Sequence, residues 1–162
     1  MKLSQTILTL TGSIALSAAM ATETIITDPT NTTGGVTFNV AAGDTLVYSG
    51  KITGSGLLKK IGAGTLKLNN PRNDFTGGIL VLTGHVEAAT SGCLGTGMIL
   101  VQNKDSGGLI FSADGGVFTN EIAKGAQSGD FLDFRADTTL CGLVRTSSCT
   151  MYLYSRSGPL AQ

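Results

Sequence analysis

One histidine, three cysteines and eleven carboxylates are the obvious acid, base, thiol and metal-binding side chains in this 162-residue chain. A Ser-His-Asp or Cys-His arrangement would have to use His85. His85 follows Gly84 and alternates with Val86, which points to an exposed strand-end residue rather than a catalytic base. Cys93, Cys141 and Cys149 are an odd set, so the arithmetic allows one disulfide and one remaining thiol. Cys141 and Cys149 would close a small loop if their Cα atoms lay within about 4.4–6.8 Å; the simpler reading is buried small hydrophobes. No CxxC or paired-histidine spacing suggests structural zinc. Carboxylates ranged on one strand face can do acid–base work or hold calcium. Asp105, Asp114, Asp130, Asp133 and Asp137 are scattered instead, and Asp130 and Asp133 fall on opposite faces of an ideal strand, so solvated turn acids are expected.

The remaining motifs are equally plain. Lys59-Lys60 reads as a solvated edge rather than a partner patch. The Gly-Ser-Gly at 54–56 and Gly-Ala-Gly at 62–64 lack the downstream Gly-Lys-Ser/Thr and the helix of a phosphate loop. Gly115-Gly116 is not followed by the pattern of calcium-binding nonapeptides. Asn31-Thr32-Thr33 satisfies a glycosylation sequon. No catalytic, cofactor-binding or metal-ligating residue is therefore assigned, and no cofactor is expected.

The elements that would carry these residues are β-strands. Glycine supplies 23 positions, about twice the usual ~7%, and each would cost a helix about 1 kcal/mol relative to alanine. Charged residues make up 14%, tryptophan is absent, and basic and acidic side chains are equal at 11 each. Such a balance gives no electrostatic pull toward nucleic acid. The length suits one domain with a sizeable core.

Gly54–Ala88 is the most informative stretch. Thr65-Leu66-Lys67-Leu68 places leucines on one face and polar chains on the other. Gly62 and Gly64 mark its entry; Asn69 to Thr76 and Gly77-Gly78 supply turn chemistry; Ile79 to Thr83 resumes as strand, Gly84 breaks it, and Val86 and Ala88 point inward again. Val36, Phe38 and Val40 form another alternating strand, followed by Leu46 and Tyr48. Further strands are predicted at 98–102, 109–112, 117–122, 131–135, 140–145 and 151–155. No long helical stripe is present, and Thr119–Gly125 is the only stretch suited to a turn of helix.

At the front, Lys2, an apolar run from Ile7 to Ala18 and Ala19-Met20-Ala21 have the form of a secretory signal peptide cut near Ala21, too short and too rich in hydroxyls for a spanning helix. No cysteine follows the cut, which argues against a lipid anchor. The expected organisation is residues 1–21 signal peptide, 22–35 N-terminal cap or loop, and 36–162 a solenoid with its repeat unit at 54–88.

The order Gly54-Ser55-Gly56, Leu57, Lys60, Gly62, Gly64-Thr65-Leu66, Leu68, Asn73, Phe75, Gly77-Gly78, Val81, Gly84 and Val86 resembles the autotransporter-associated β-strand repeat, a module of bacterial surface proteins. The similarity runs from about Val36 to Gly97. Asn69-Asn70 stands where Ser-Gly is usual, a residue is inserted near Pro71-Arg72, and His85 replaces a small polar residue. The resemblance implies an all-β, right-handed parallel β-helix (β-solenoid), displayed at the cell surface or secreted, in association with the outer membrane. Coils of this kind gain stability from each neighbour rather than from one closed core. Leu66, Leu68, Val81 and Val86 would line the interior column.

The function expected from this is a non-catalytic adhesin-like scaffold, with a surface glycan or protein as its ligand, no nucleic acid partner and no integral membrane segment in the mature chain. The alternative is a small secreted carbohydrate-active β-helix enzyme, a lyase or hydrolase, which would need three or more carboxylates converging in a groove. A truncated fragment of a larger autotransporter is also compatible, because the amphipathic strands of a translocator barrel are not recognisable in this sequence.

Overall fold

A computed structural model of the chain describes residues 20–102, 107–125, 132–145, 151–152 and 155–156. The predicted signal peptide lies almost wholly outside the described residues, as do Asp105, Asp130 and Cys149. All regular structure among the described residues is β-strand, and no helix there is long and apolar enough to cross a membrane.

The strands follow one another in windings of three or two. The first winding holds β1 (Glu23–Ile26), β2 (Thr30–Asn31) and β3 (Val36–Asn39), and the next holds β4 (Thr45–Tyr48), β5 (Ile52–Thr53) and β6 (Leu58–Ile61). β7 (Thr65–Leu68) and β8 (Ile79–Val81) follow, then β9 (His85–Ala88) and β10 (Ile99–Val101). After them come β11 (Leu109–Phe111), β12 (Gly116–Phe118) and β13 (Ile122–Lys124), then β14 (Leu132–Phe134), β15 (Thr138–Leu140) and β16 (Val144–Arg145). β17 (Met151–Tyr152) and β18 (Ser155–Arg156) end the series.

Each winding lies on the one before. A six-stranded sheet runs β1-β4-β7-β9-β11-β14, and a seven-stranded sheet runs β17-β16-β13-β10-β8-β6-β3. Every pairing up to β16 is parallel, with Thr45 beside Thr65, Thr65 beside His85 and Val86 beside Leu109. The molecule is thus a parallel β-solenoid, as the resemblance to the autotransporter-associated repeat implied. A third face carries β2-β5 and β12-β15-β18; between them, Asp74 N donates to Ile52 O at 3.1 Å and Thr96 N to Phe75 O at 3.0 Å, so single hydrogen bonds replace regular strands. At the far end β17 runs antiparallel to β16 and β18 antiparallel to β15, covering two of the three faces of the last winding.

Because side chains alternate along a strand, every second position falls on an inner column. Leu46, Leu66, Val86, Leu109 and Leu132 stack in one column, and Val36, Leu58, Ile79, Ile99, Ile122 and Val144 in the column facing it. Leu66, Leu68, Val81 and Val86 are all fully buried, as expected. Each contributes about 1.5–3 kcal/mol on leaving water. Toward the far end the filling turns aromatic: Phe111 stacks on Phe134 at 5.2 Å and tilts against Phe118 at 4.9 Å.

Three sequence expectations need correction. Residues 22–35 are not a loop: they contain β1 and β2, and β1 is the edge of the six-stranded sheet. The strands predicted at 117–122 and 140–145 are each broken by a corner, and the stretch Thr119–Gly125 suited to helix contains β13. The cause is close packing at the bends. A Cβ on Gly142 would lie 1.8 Å from Asn120 O, so the chain must turn there against the winding below.

Candidate functional site

The outer face of the six-stranded sheet brings together several charges that the sequence scatters. The 20-residue step between β7 and β9 sets Lys67 beside Glu87, and their charged ends meet at 2.9 Å. Ser112 Oγ donates to the same Glu87 oxygen at 2.6 Å. Two strands further on, Arg135 Nε donates to Asp133 at 2.8 Å. Burial alone would raise the Glu87 carboxyl, but the bonds from Ser112 and Lys67 and the charges of Lys67 and Arg135 outweigh it, so its pKa is lowered. Glu87 is ionised at neutral pH.

His85 belongs to this face but is half-buried, not exposed as expected. Desolvation lowers its pKa first, the charges of Arg135 and Lys60 push the same way, and Asp133 opposes them. The imidazole is neutral at physiological pH. Among the described residues, the Ser112 hydroxyl donates to Glu87 and so does not make a Ser-His-acid relay with His85. What the face offers is two charged clusters, Lys67 with Glu87 and Ser112, and Asp133 with Arg135, with Ile110 on the rung between them.

Among the described residues, the carboxylates weighed for catalysis do not form a metal cluster. Asp114 is exposed, Asp133 is paired with Arg135 and Asp137 is half-buried. Among the described residues no three His, Cys, Asp or Glu side chains are grouped so as to hold a metal ion. Cys93 is fully buried and its thiol is pushed up to about 11, mainly by desolvation, which makes it a poor nucleophile. Cys141 is a free, exposed thiol, and the bridge considered to Cys149 falls outside the described residues.

Sequence reasoning misplaced Lys60. It is not at a solvated edge but on the inner column of the seven-stranded sheet, between Phe38 and Val81 and fully buried. Its ammonium bends into the corner and donates to Ile61 O at 2.9 Å, Gly62 O at 2.6 Å and Thr83 O at 3.2 Å. Gly84 makes the room: with φ at +67° and an added Cβ only 2.8 Å from Lys60 Nζ and 2.3 Å from Gly64 O, no other residue fits without strain. Desolvation lowers the Lys60 pKa to about 8. Its three carbonyl partners belong to the turns of two successive windings, so the side chain is a tie between turns and has no opening to a substrate.

Asn73 was also underread, as part of a turn. It is buried, its Oδ1 accepts from Ile52 N at 2.8 Å and its Nδ2 donates to Cys93 O at 2.7 Å, so one side chain joins three windings. Asn120 does similar work, donating to Gly95 O at 3.1 Å and Gly97 O at 3.0 Å. The signal available in the sequence was the spacing: 52, 73 and 93 differ by one solenoid step.

With this geometry in place, comparison with known proteins adds a relative. Over 96 residues, 57% of this chain, the sequence is 38% identical to the adhesin BmaC autotransporter of Brucella suis biovar 1 (strain 1330). The matched stretch is 3% of that protein's length, so this chain spans a small part of the relative. No family model matches the chain, and no solved structure matches it. The similarity and the parallel β-solenoid together fit an autotransporter passenger-like segment, as Gly54–Ala88 led us to expect.

Proposed function

We propose that this chain is an exported, surface-displayed β-solenoid segment that works as an adhesive scaffold without catalysis. The observation that carries the reading is the uninterrupted parallel stacking of short windings in a chain similar to an autotransporter adhesin. The predicted signal peptide directs the chain out of the cytoplasm, and the solenoid presents its outer faces to glycans or host proteins. The face that carries the two clusters Lys67–Glu87–Ser112 and Asp133–Arg135 is the one best furnished for such contact.

The test is a screen of the purified exported chain against a glycan array and a panel of host surface proteins, with Lys67→Ala and Arg135→Ala run in parallel. Saturable binding to at least one class, weakened at least about tenfold by either substitution, is the expected result. Measurable lyase or hydrolase turnover on polysaccharides would overturn the reading in favour of an enzyme.

A further inference from the structure

Among the described residues β1 is the edge of the six-stranded sheet and pairs only with β4. The register continues one residue back, to Thr22 beside Asp44: Thr45 N donates to Thr22 O at 2.9 Å, and Thr22 N donates to Asp44 Oδ1 at 3.0 Å. A turn aims the carboxylate, with Asp44 N donating to Ala41 O at 3.1 Å and Gly43 at φ +83°, a value suited to glycine. Thr22 is thus held by both its oxygen and its nitrogen, whereas Met20, two residues earlier, is 81% exposed. The sequence offers an exporting peptidase two places to cut, because small residues stand three and one positions ahead of each: Ser17 and Ala19 before Met20, and Ala19 and Ala21 before Thr22.

We propose that export cuts the Ala21–Thr22 bond and that the ammonium group freed on Thr22 is received by Asp44, which fastens the first strand of the solenoid. Water makes the cut: its oxygen ends in the carboxylate of Ala21, which leaves with the leader, and its two protons pass to the Thr22 nitrogen. That nitrogen already lies on Asp44 as an amide, so the cut turns a neutral donor into a charged one without moving it. A hydrogen bond between ionised groups is about twice as strong as a neutral one. A cut after Ala19 would instead leave the charge in water on Met20. Chain ends fray unless tied down, and a loose edge strand exposes unpaired groups that invite other chains; the clasp counters both. The titratable groups that share this corner are Glu23, next on β1, His85, two rungs down the column of Thr45, and Lys60, bonded to Gly62 O in the turn before β7. The inference rests on the export reading and on no ligand.

N-terminal sequencing of the exported chain should read Thr22-Glu23-Thr24. A start elsewhere overturns the assignment and leaves the export reading intact; a chain kept whole inside the cell loses both. Purified chains that begin at Thr22 and at Met20, each with and without Asp44→Asn, are then unfolded in urea. At pH 6 the Thr22 chain should have a folded-to-unfolded ratio about twofold to fivefold higher than the Met20 chain, the range of a partly exposed ion pair, and Asp44→Asn should abolish the difference. An opposite charge raises the pKa of an ammonium, so the advantage is complete below the ordinary α-amino value of about 8 and is lost as pH rises through the higher folded value. It should be gone by about pH 10; Lys60 titrates in all four chains and cancels from the comparison. Equal stability of the two starts at pH 6, or an advantage that survives Asp44→Asn or alkaline pH, overturns the clasp.

Discussion

At the level of single residues, the buried Lys60 is the most consequential finding. An ammonium taken from water is costly, and three carbonyl oxygens make its burial tolerable without reversing the desolvation. With its folded pKa lowered to about 8 from 10.5, the unfolded chain binds the proton more tightly than the folded one between those values. Stability therefore rises as pH climbs from about 8 to 10.5, and the penalty for the buried charge is felt in full below about 8. The size is on the order of 3 kcal/mol at about 1.4 kcal/mol per pKa unit. Urea midpoints at pH 7.5 and pH 10 should thus move apart in the wild type more than in Lys60→Met. Equal differences in the two proteins would show that another group is responsible. Nothing in the local sequence announced this lysine, because a Lys-Lys pair reads as surface until the register puts the second lysine under Phe38 and over Val81.

At the level of elements, the strands were legible and the corners were not. Alternation in Thr65–Leu68 and the glycine after each run marked the strands and their inward leucines. The bends depend on contacts about twenty residues away, which local pattern does not contain. Asn73 is the clearest case: its amide is needed by Ile52 below and Cys93 above, neither of them near in sequence. Asn73→Ala should orphan one buried donor and one buried acceptor and cost about 2–4 kcal/mol, read as a lower urea midpoint. Asn73→Asp keeps the acceptor for Ile52 N but sets a carboxylate against Cys93 O. It should be destabilised at neutral pH and partly recover on acidification, when the protonated carboxyl can donate again. Recovery absent at pH 4 would mean that the bond to Cys93 carries little weight. The pairing of Lys67 with Glu87 was hidden for the same reason, since the two are one winding apart.

At the level of the whole molecule, all-β character was readable from glycine content and strand rhythm, and the solenoid from the family resemblance at 54–88, while its ends were not. The first strand, β1, lies in a threonine-rich stretch with little apolar period, and only its pairing with β4 makes it a strand. The closing pair β17 and β18 runs against the direction of every strand before it. A β-rich circular dichroism spectrum is the expected signature of the purified chain, and a helical one would refute the fold. The ladder hydrogen bonds have a mechanical consequence. They run along the long axis, winding to winding, so tension applied between the chain's two ends loads them a few at a time instead of all together. Such a rod peels, giving up one loop of about twenty residues and roughly 65–70 Å of slack per rupture, and it spares the windings still closed. A tether that yields in instalments keeps its grip under a pull that would snap a bond loaded all at once.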